Sequence, residues 1–463
     1  MPIARLNIRE LPPAPSLLKV FGPSVILLGL GLGSGEVVLW PYLVSRFGMG
    51  IIWGALLGLT FQFFMNMEIE RYALAHGESV FVGYKRKFWW SPLWFLLSTF
   101  VPWIWPGIIA ASAVLLSSLF GWKDSSVVAI IMLICIGLVL TFGPVLYKTV
   151  ETFQKVLIMV SIPTVVGLSV YLAHASHWMD LIRGIVGFGN GYQFLPAGIS
   201  IASFLAAFAY SGAGGNLNLA QSYYVKEKGY GMGKYAGRIT SILLGKSEAL
   251  SLTGSTFEHT PAQLRRFRAW WTTINTEHWL VFWLTGAVTI LCLSLLAYIT
   301  QYGAPVSQGI QFVIEEAVVI GQRTMPMFGG LFLLIAGLTL FGTQLTIFDA
   351  SSRILAENTL LLGIPGLQKG SYLRPLYYLV LWLQIIAGII VFFLGFREPL
   401  MLITFAAVLN AIAMFVHVIM TVWINTTVLK FELRTSLWRR IILGIAACFY
   451  AGFGFYSLVQ MVR

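Results

Sequence analysis

The sequence predicts an all-α integral membrane protein in which two five-helix halves of opposite topology are followed by one more helix. Three observations carry this. Of 463 residues, 58% are hydrophobic and only 10% are charged, against about 25% charged in a soluble domain. The apolar segments run for about 18–28 residues, enough to cross a hydrocarbon core of roughly 30 Å as helices, whereas a membrane β-barrel shows alternating segments of about ten residues. Two segments are also interrupted alike, by Gly29-Leu30-Gly31-Leu32-Gly33-Ser34-Gly35-Glu36 and by Ser211-Gly212-Ala213-Gly214-Gly215-Asn216-Leu217-Asn218.

In order, the spans fall at about 19–47, 51–75, 92–119, 126–143, 149–174, 198–225, 278–300, 326–349, 375–395, 398–428 and 436–460. The whole of 1–463 is read as one transmembrane domain: a first repeat at 19–174, a second at 198–428 with a polar loop at 226–277, and an added helix at 436–460. Span two ends in Glu68, Glu70 and Arg71, read as partners of one another or of the interface, with a gating role as the sharper alternative. Span three contains Val101-Pro102-Trp103-Ile104-Trp105-Pro106 and no acidic residue; its tryptophans read as interfacial or packing groups. The loop before span seven contains Arg265-Arg266-Phe267-Arg268-Ala269-Trp270-Trp271. That mixture of cations and aromatics suits a segment anchored at the headgroups, a regulatory lid being the alternative. Glu315 and Glu316 fall in an outer loop, and Asp349 and Arg353, at the inner end of span eight, are spaced for an i, i+4 ion pair.

Counting Lys and Arg with the N-terminus in the cytoplasm puts 24 of the 30 inside and 6 outside. The positive-inside rule then fixes a cytoplasmic N-terminus and an external C-terminus, in a cell (inner) membrane. It also accounts for the net charge of +12 without a nucleic-acid partner; an anionic inner leaflet is the expected partner. Met1 to Ser16 contains Arg5, Arg9, Glu10 and three prolines but no apolar stretch before a cleavage site, so the first helix is expected to insert uncleaved. Cys135, Cys292 and Cys448 lie in apolar runs, read as small buried residues with neither metal-ligand spacing nor a disulfide framework. No Walker loop, HExxH or GxSxG elbow is present. The expectation is a non-enzyme without cofactor, and transport that is secondary or passive. The oligomeric state is left open.

With eleven spans, the first and sixth enter from opposite sides, and each opens its half with a broken helix. That is the plan of the LeuT-type 5+5 inverted repeat with discontinuous helices 1 and 6. Glycine costs roughly 1 kcal/mol in a helix interior, and unwound backbone at membrane depth is tolerated only where protein buries it or it lines a cavity. The breaks therefore mark the expected binding site. Glu36 is its carboxylate, and an intramembrane carboxylate needs a partner or a task. Backbone carbonyls near Gly31–Gly35 and Ser211–Gly215, the amides of Asn216 and Asn218 and the hydroxyls of Ser34, Tyr210 and Ser211 supply the oxygen that hard cations take. Helix capping by Glu36 is the alternative, and the two can coexist. Gln344, Asn410 and His417 are mid-span accessory candidates; bundle hydrogen bonds explain the amides equally well, and a packed histidine is read ahead of a proton relay.

From about Phe21 to Glu432 the chain resembles the natural resistance-associated macrophage protein (Nramp) family of divalent metal transporters. The residues that carry the likeness are Gly22-Pro23, Gly33-Ser34-Gly35-Glu36 where that family has Asp-Pro-Gly-Asn, Ala213-Gly214-Gly215-Asn216-Leu217 where it has Met-Pro-His and then Asn-Leu, Val150 to Leu157, and Ile424-Asn425-Thr426. The resemblance implies a metal site at Gly33, Glu36 and Ala213. Gly33 replaces the family's ligating Asp, Glu36 its Asn and Ala213 its Met, while Gly215 replaces the adjacent His. Loss of the thioether points to a harder, magnesium-like or manganese-like ion, as in a divergent Nramp-related branch. The lack of acidic residues in span three argues against proton coupling. The expected function is a divalent cation carrier working by alternating access; the alternative is a LeuT-type carrier of a small organic solute such as an amino acid or amine.

Overall fold

The computed structural model describes residues 5–241, 251–305, 307–365 and 370–462. Lys246, Lys369 and Arg463, counted above among the flanking charges, lie outside the described residues. The first crossings are α1 (Pro23–Phe47), α2 (Met49–His76), α3 (Ser91–Phe120), α4 (Ser125–Phe142) and α5 (Leu146–Leu172), each long and apolar enough to span a bilayer. The sixth is not one helix. Its first half, α6a (Ile201–Ala209), stops; the chain turns through Tyr210–Gly214; and a 3-10 segment, Gly215–Ala220, leads into α6b (Gln221–Lys228). Nine residues of α helix rise only about 14 Å, so α6a reaches halfway across. Five more long apolar helices follow: α7 (Pro261–Gln301), α8 (Pro326–Leu361), α9 (Gly370–Phe393), α10 (Pro399–Thr427) and α11 (Leu437–Val462).

Burial divides these helices by role. All of the apolar window of α1 is buried, whereas α4, α5 and α11 bury no more than 33% of theirs. Those three turn Ile131, Val160 and Ile445 outward, so they form the lipid-facing periphery and α1 the centre. Cys292 is buried, but Cys135 and Cys448 are exposed, against the expectation of three buried cysteines. They sit on the peripheral helices α4 and α11, where an apolar surface is the norm.

Three segments differ from the sequence reading. First, α7 begins at Pro261, so the predicted loop is helical over its last third. Thr260 caps this helix by accepting from the Gln263 amide, and Pro261 occupies a first-turn position that suits its missing N–H. Trp270 and Phe267 are buried rather than spread on a headgroup layer. The chain's own N-terminal segment covers this helix: Leu11 N–H donates to Gln263, Trp270 Nε1 donates to the Pro12 carbonyl at 2.8 Å, and Asn7–Ile8 pairs in parallel with Ser255–Thr256. Second, α8 continues past the predicted 349 to Leu361, because its charged turn is compensated. Arg353 Nε donates to Asp349 at 2.9 Å, and its Nη1 pairs with Glu227 of α6b. The Tyr224 and Tyr377 hydroxyls donate to the same Asp349 carboxylate at 3.2 and 2.9 Å. Third, Glu315 and Glu316 lie on a short helix, Gln311–Arg323, and Glu316 is buried.

The charges closing α2 separate. Glu68 pairs with Arg71 at 2.7 Å and Arg439 at 3.2 Å, and accepts from Thr435 and Asn425. Arg71 and Arg439 both lie over the Trp271 ring. This ties α2 to α10, α11 and α7. Glu70 instead faces α6b, where Gln221 donates to it.

Candidate functional site

α1 is α-helical to Gly31, pinches at Gly33 (φ −84°, ψ −80°), and continues as a wide π-helical turn over Ser34–Leu39 before resuming at Trp40. The expected unwinding is therefore shallow. Leu32 N–H still donates to Leu28 and Val37 N–H to Gly33, and the Gly29 carbonyl is taken by the Thr343 hydroxyl of α8 at 2.8 Å. Packing explains the glycines. A Cβ on Gly31 would press on the backbone of Gly212 at 2.8 Å, one on Gly35 would meet the Tyr210 carbonyl, and one on Gly33 would strike Thr343. Only bare backbone lets the two interrupted helices touch.

The break in α6 is deeper. Gly212, Gly214 and Gly215 take φ of +146°, +72° and +57°, conformations glycine adopts without a Cβ penalty. Gln62 of α2 spans this break. Its Nε2 donates to the Ala209 carbonyl at 3.0 Å, and its Oε1 accepts from Gly214 N–H at 3.1 Å. Trp40 Nε1 donates to Ser211 Oγ at 2.8 Å, joining the two breaks directly.

Glu36 lies in the wide turn of α1, which packs against α6a, α7, α8 and α10. It is 0% exposed, and neither carboxyl oxygen has a hydrogen-bond partner among the described residues. Asn218, on the 3-10 segment, is likewise fully buried with both amide atoms unpartnered. Its neighbour Asn216 is committed: Nδ2 donates to Ser98 and Thr99 of α3, and Oδ1 lies 3.3 Å from His417 Nδ1 of α10. His417 is thus a packed, hydrogen-bonded histidine with Nε2 unpartnered among the described residues. Asn410 Nδ2 donates to the Tyr210 hydroxyl at 3.0 Å, and its Oδ1, beside Gly215, has no partner among the described residues.

Of the residues singled out from sequence, Gly33, Ser34, Glu36, Tyr210, Ser211, Ala213, Asn216 and Asn218 all lie buried on the two apposed interruptions, with Asn410 and His417 closing the α10 side. Gln344 is buried on α8 next to Thr343. Two contributors were missed. Gln62 carries no marking in sequence beyond an amide in an apolar run. Trp103, read as packing, stacks on Tyr210 with ring centroids 5.7 Å apart. Among the described residues, no group of three or more His, Cys, Asp or Glu is placed to hold a metal ion. The arrangement offers one carboxylate, amide and hydroxyl oxygens and an aromatic wall.

No protein-family model matches the sequence, and no curated protein matches it. Solved structures do. A mutant of the Eremococcus coleocola manganese transporter superposes with a TM-score of 0.71 at 12% identity, over 98% of this chain and 89% of that one. The same transporter in complex with an aromatic bis-isothiourea substituted compound gives 0.69 at 12% identity, over 99% and 91%. Mhp1, a nucleobase-cation-symport-1 family transporter closed around bromovinylhydantoin, gives 0.59 at 13% identity, over 98% and 93%. At such identities the likeness is one of fold. The chain is an all-α integral membrane protein of the LeuT type, with helix 6 discontinuous and helix 1 interrupted by a π-helical turn.

Proposed function

We propose that the protein is a secondary or passive carrier whose substrate is a hard divalent cation, magnesium-like or manganese-like, bound beside Glu36 where α1 meets the break in α6. One observation carries the reading: a carboxyl with 0% exposure and no partner on either oxygen among the described residues, placed on the interrupted turn. Leaving an ionised carboxylate unpaired in a dry interior costs several kcal/mol, which a visiting cation offsets. A single carboxylate suits a magnesium-like ion, which keeps several waters and takes one or two carboxylates. The likeness to a manganese transporter supports the same choice. We read 19–174 and 198–428 as the two inverted repeats, and the lysine and arginine distribution as a cytoplasmic N-terminus.

The test is manganese influx into proteoliposomes carrying a divalent-sensitive dye. Glu36→Gln, which keeps the shape and removes the charge, is expected to cut the initial rate at least tenfold. Equal influx in wild type and variant would overturn the role of Glu36.

A second reading, a carrier of a small organic amine, is favoured by the Trp103–Tyr210 stack beside a lone carboxylate, and by the likeness to Mhp1. Aromatic faces attract ammonium groups. Thermal stabilisation by amines, with none by millimolar manganese or magnesium, selects it.

A further inference from the structure

Where α7 enters the bundle it carries Glu277 and His278, which the cation site does not use. Ser24, on the first turn of α1, donates its hydroxyl to the Glu277 carboxyl and stands 2.7 Å from His278 Nδ1. All three side chains have 0% exposure. The three groups form a hydrogen-bonded chain with two orientations. In one, His278 Nδ1–H donates to Ser24 Oγ, and Ser24 donates to the Glu277 carboxylate. In the other, Glu277 carries the proton and donates to Ser24, Ser24 donates to Nδ1, and the imidazole bears its hydrogen on Nε2. Both ends of the chain are open: His278 Nε2 and Glu277 Oε1 have no partner among the described residues.

The surroundings favour a mobile positive charge at this place. Glu70 of α2, held by Gln221, is close enough to repel Glu277, and its Oε2 is also unpartnered among the described residues. Two buried carboxylates near one another repel, and one proton removes that repulsion. Lys228 of α6b acts on Glu277 as a cation, and Glu151 of α5, paired with Lys228 at 2.8 Å, acts on it as a further carboxylate. Tyr147 and Tyr230 face the same carboxyl from α5 and from the loop after α6b, and Arg439 of α11 faces His278. The chain also communicates with the substrate site. The His278 ring lies between Phe63 and Phe282, at 5.5 and 4.7 Å, and the Phe282 ring edge rests against Gly212 of the α6 break. α7 takes a π-helical turn over Trp279–Leu284, a feature frequent at functional sites.

We propose that Ser24, Glu277 and His278 form a proton-carrying site whose occupancy is linked to the cation site through the Phe282–Gly212 contact; this rests on the carrier reading above. A proton from water bonds to Nε2, the Nδ1–H bond breaks as its proton passes to Ser24 Oγ, and the original Ser24 proton passes to Glu277. One proton is gained, nothing is oxidised, and Glu277 returns it to water once α1 and α7 part; the imidazole then exchanges its Nε2 hydrogen for one on Nδ1 through water, which restores the starting tautomer. The Gly22 N–H is near enough to act on the Glu277 carboxyl, so holding the start of α1 is the structural alternative for that group. A cap explains neither the place of His278 in the chain nor its open Nε2.

Proteoliposomes loaded with a pH-sensitive dye and driven by a potassium diffusion potential test this, with and without external manganese. In wild type, lumenal acidification is expected to accompany manganese influx. In Glu277→Gln and Ser24→Ala it is expected to fall at least tenfold while manganese exchange persists, each variant being checked for wild-type gel-filtration behaviour. Manganese influx in wild type without proton flux overturns the relay, as does unchanged proton flux in both variants. If wild type moves no manganese, the carrier reading for that ion fails by itself. Glu277-dependent proton flux under the potential alone would then still support the relay, and its absence would refute it.

Discussion

Gln62 is the most economical place to perturb the α6 break, because one side chain holds both of its edges. Nε2 occupies the Ala209 carbonyl at 3.0 Å and Oε1 occupies the Gly214 N–H at 3.1 Å, with Gln62 itself 0% exposed. Gln62→Leu keeps most of the volume and strands both backbone groups away from water. A buried donor or acceptor left unmade costs about 1–3 kcal/mol, so two cost about 2–6 kcal/mol. That is a large fraction of the net stability of a typical domain, about 5–15 kcal/mol. Gln62→Glu, which when ionised retains acceptance from Gly214 but loses donation to Ala209, also introduces a charge. Thermal unfolding in detergent, followed by tryptophan fluorescence, should show a clear drop for Gln62→Leu, and cation influx should fall with it. Wild-type melting and wild-type influx in Gln62→Leu would refute the claim that this clamp sets the break.

Two other perturbations follow from the buried charges. Arg353→Met leaves Asp349 and Glu227 without their cation and is expected to cost about 3–5 kcal/mol; adding Asp349→Asn and Glu227→Gln should restore much of the melting temperature. Glu316 lies on the short helix outside the spanning segments, and burial holds its carboxyl well above the usual carboxylate range. For a group raised in the folded state, the stability it contributes is complete below the ordinary carboxylate range and is lost as pH rises through the raised value. Glu316→Gln should therefore melt with wild type under acid conditions and above it at neutral pH, as a pH series of melting curves can check.

Both interruptions were readable as glycine clusters in apolar runs, but what each glycine does was not. In α6, Gly212, Gly214 and Gly215 break the helix by taking positive φ. In α1, Gly31 and Gly35 mainly make room for Gly212 and Tyr210, partners far away in sequence. Local composition cannot separate these roles, which is why α1 was expected to be more open than it is. The early start of α7 did leave a signal. Thr260-Pro261-Ala262-Gln263 has the Ser/Thr-x-x-Glu/Gln spacing of a helix start, hidden by the basic run that follows. The extension of α8 was written in Asp349, Arg353 and Glu357 at i, i+4 spacing, once α6b supplied Glu227. The Ser24–Glu277–His278 chain joins residues about 250 positions apart, and no periodicity in the sequence announces it.

Satisfaction, rather than burial, distinguishes Glu36 from Arg353 and Glu68. Arg353 and Glu68 are as deeply buried as Glu36, although the sequence places them at the inner ends of spans eight and two. Arg353 is matched by two carboxylates, and Glu68 by two arginines, a hydroxyl and an amide. Such pairs fix α8 to α6b and α2 to α10. Glu36, Asn218, the free oxygen of Asn410 and Nε2 of His417 lack partners among the described residues, and they gather around the two broken helices. A buried polar group without a partner raises the energy of the empty protein. Unpartnered buried atoms also occur elsewhere among the described residues, on Asn66, Glu70, Glu277 and His278, but at Glu36 both oxygens of one carboxyl are left so, and a partner that arrives from outside the chain accounts for that. A cation at Glu36 would meet that requirement at its most costly point, since an unpaired carboxylate is the largest such penalty among the four.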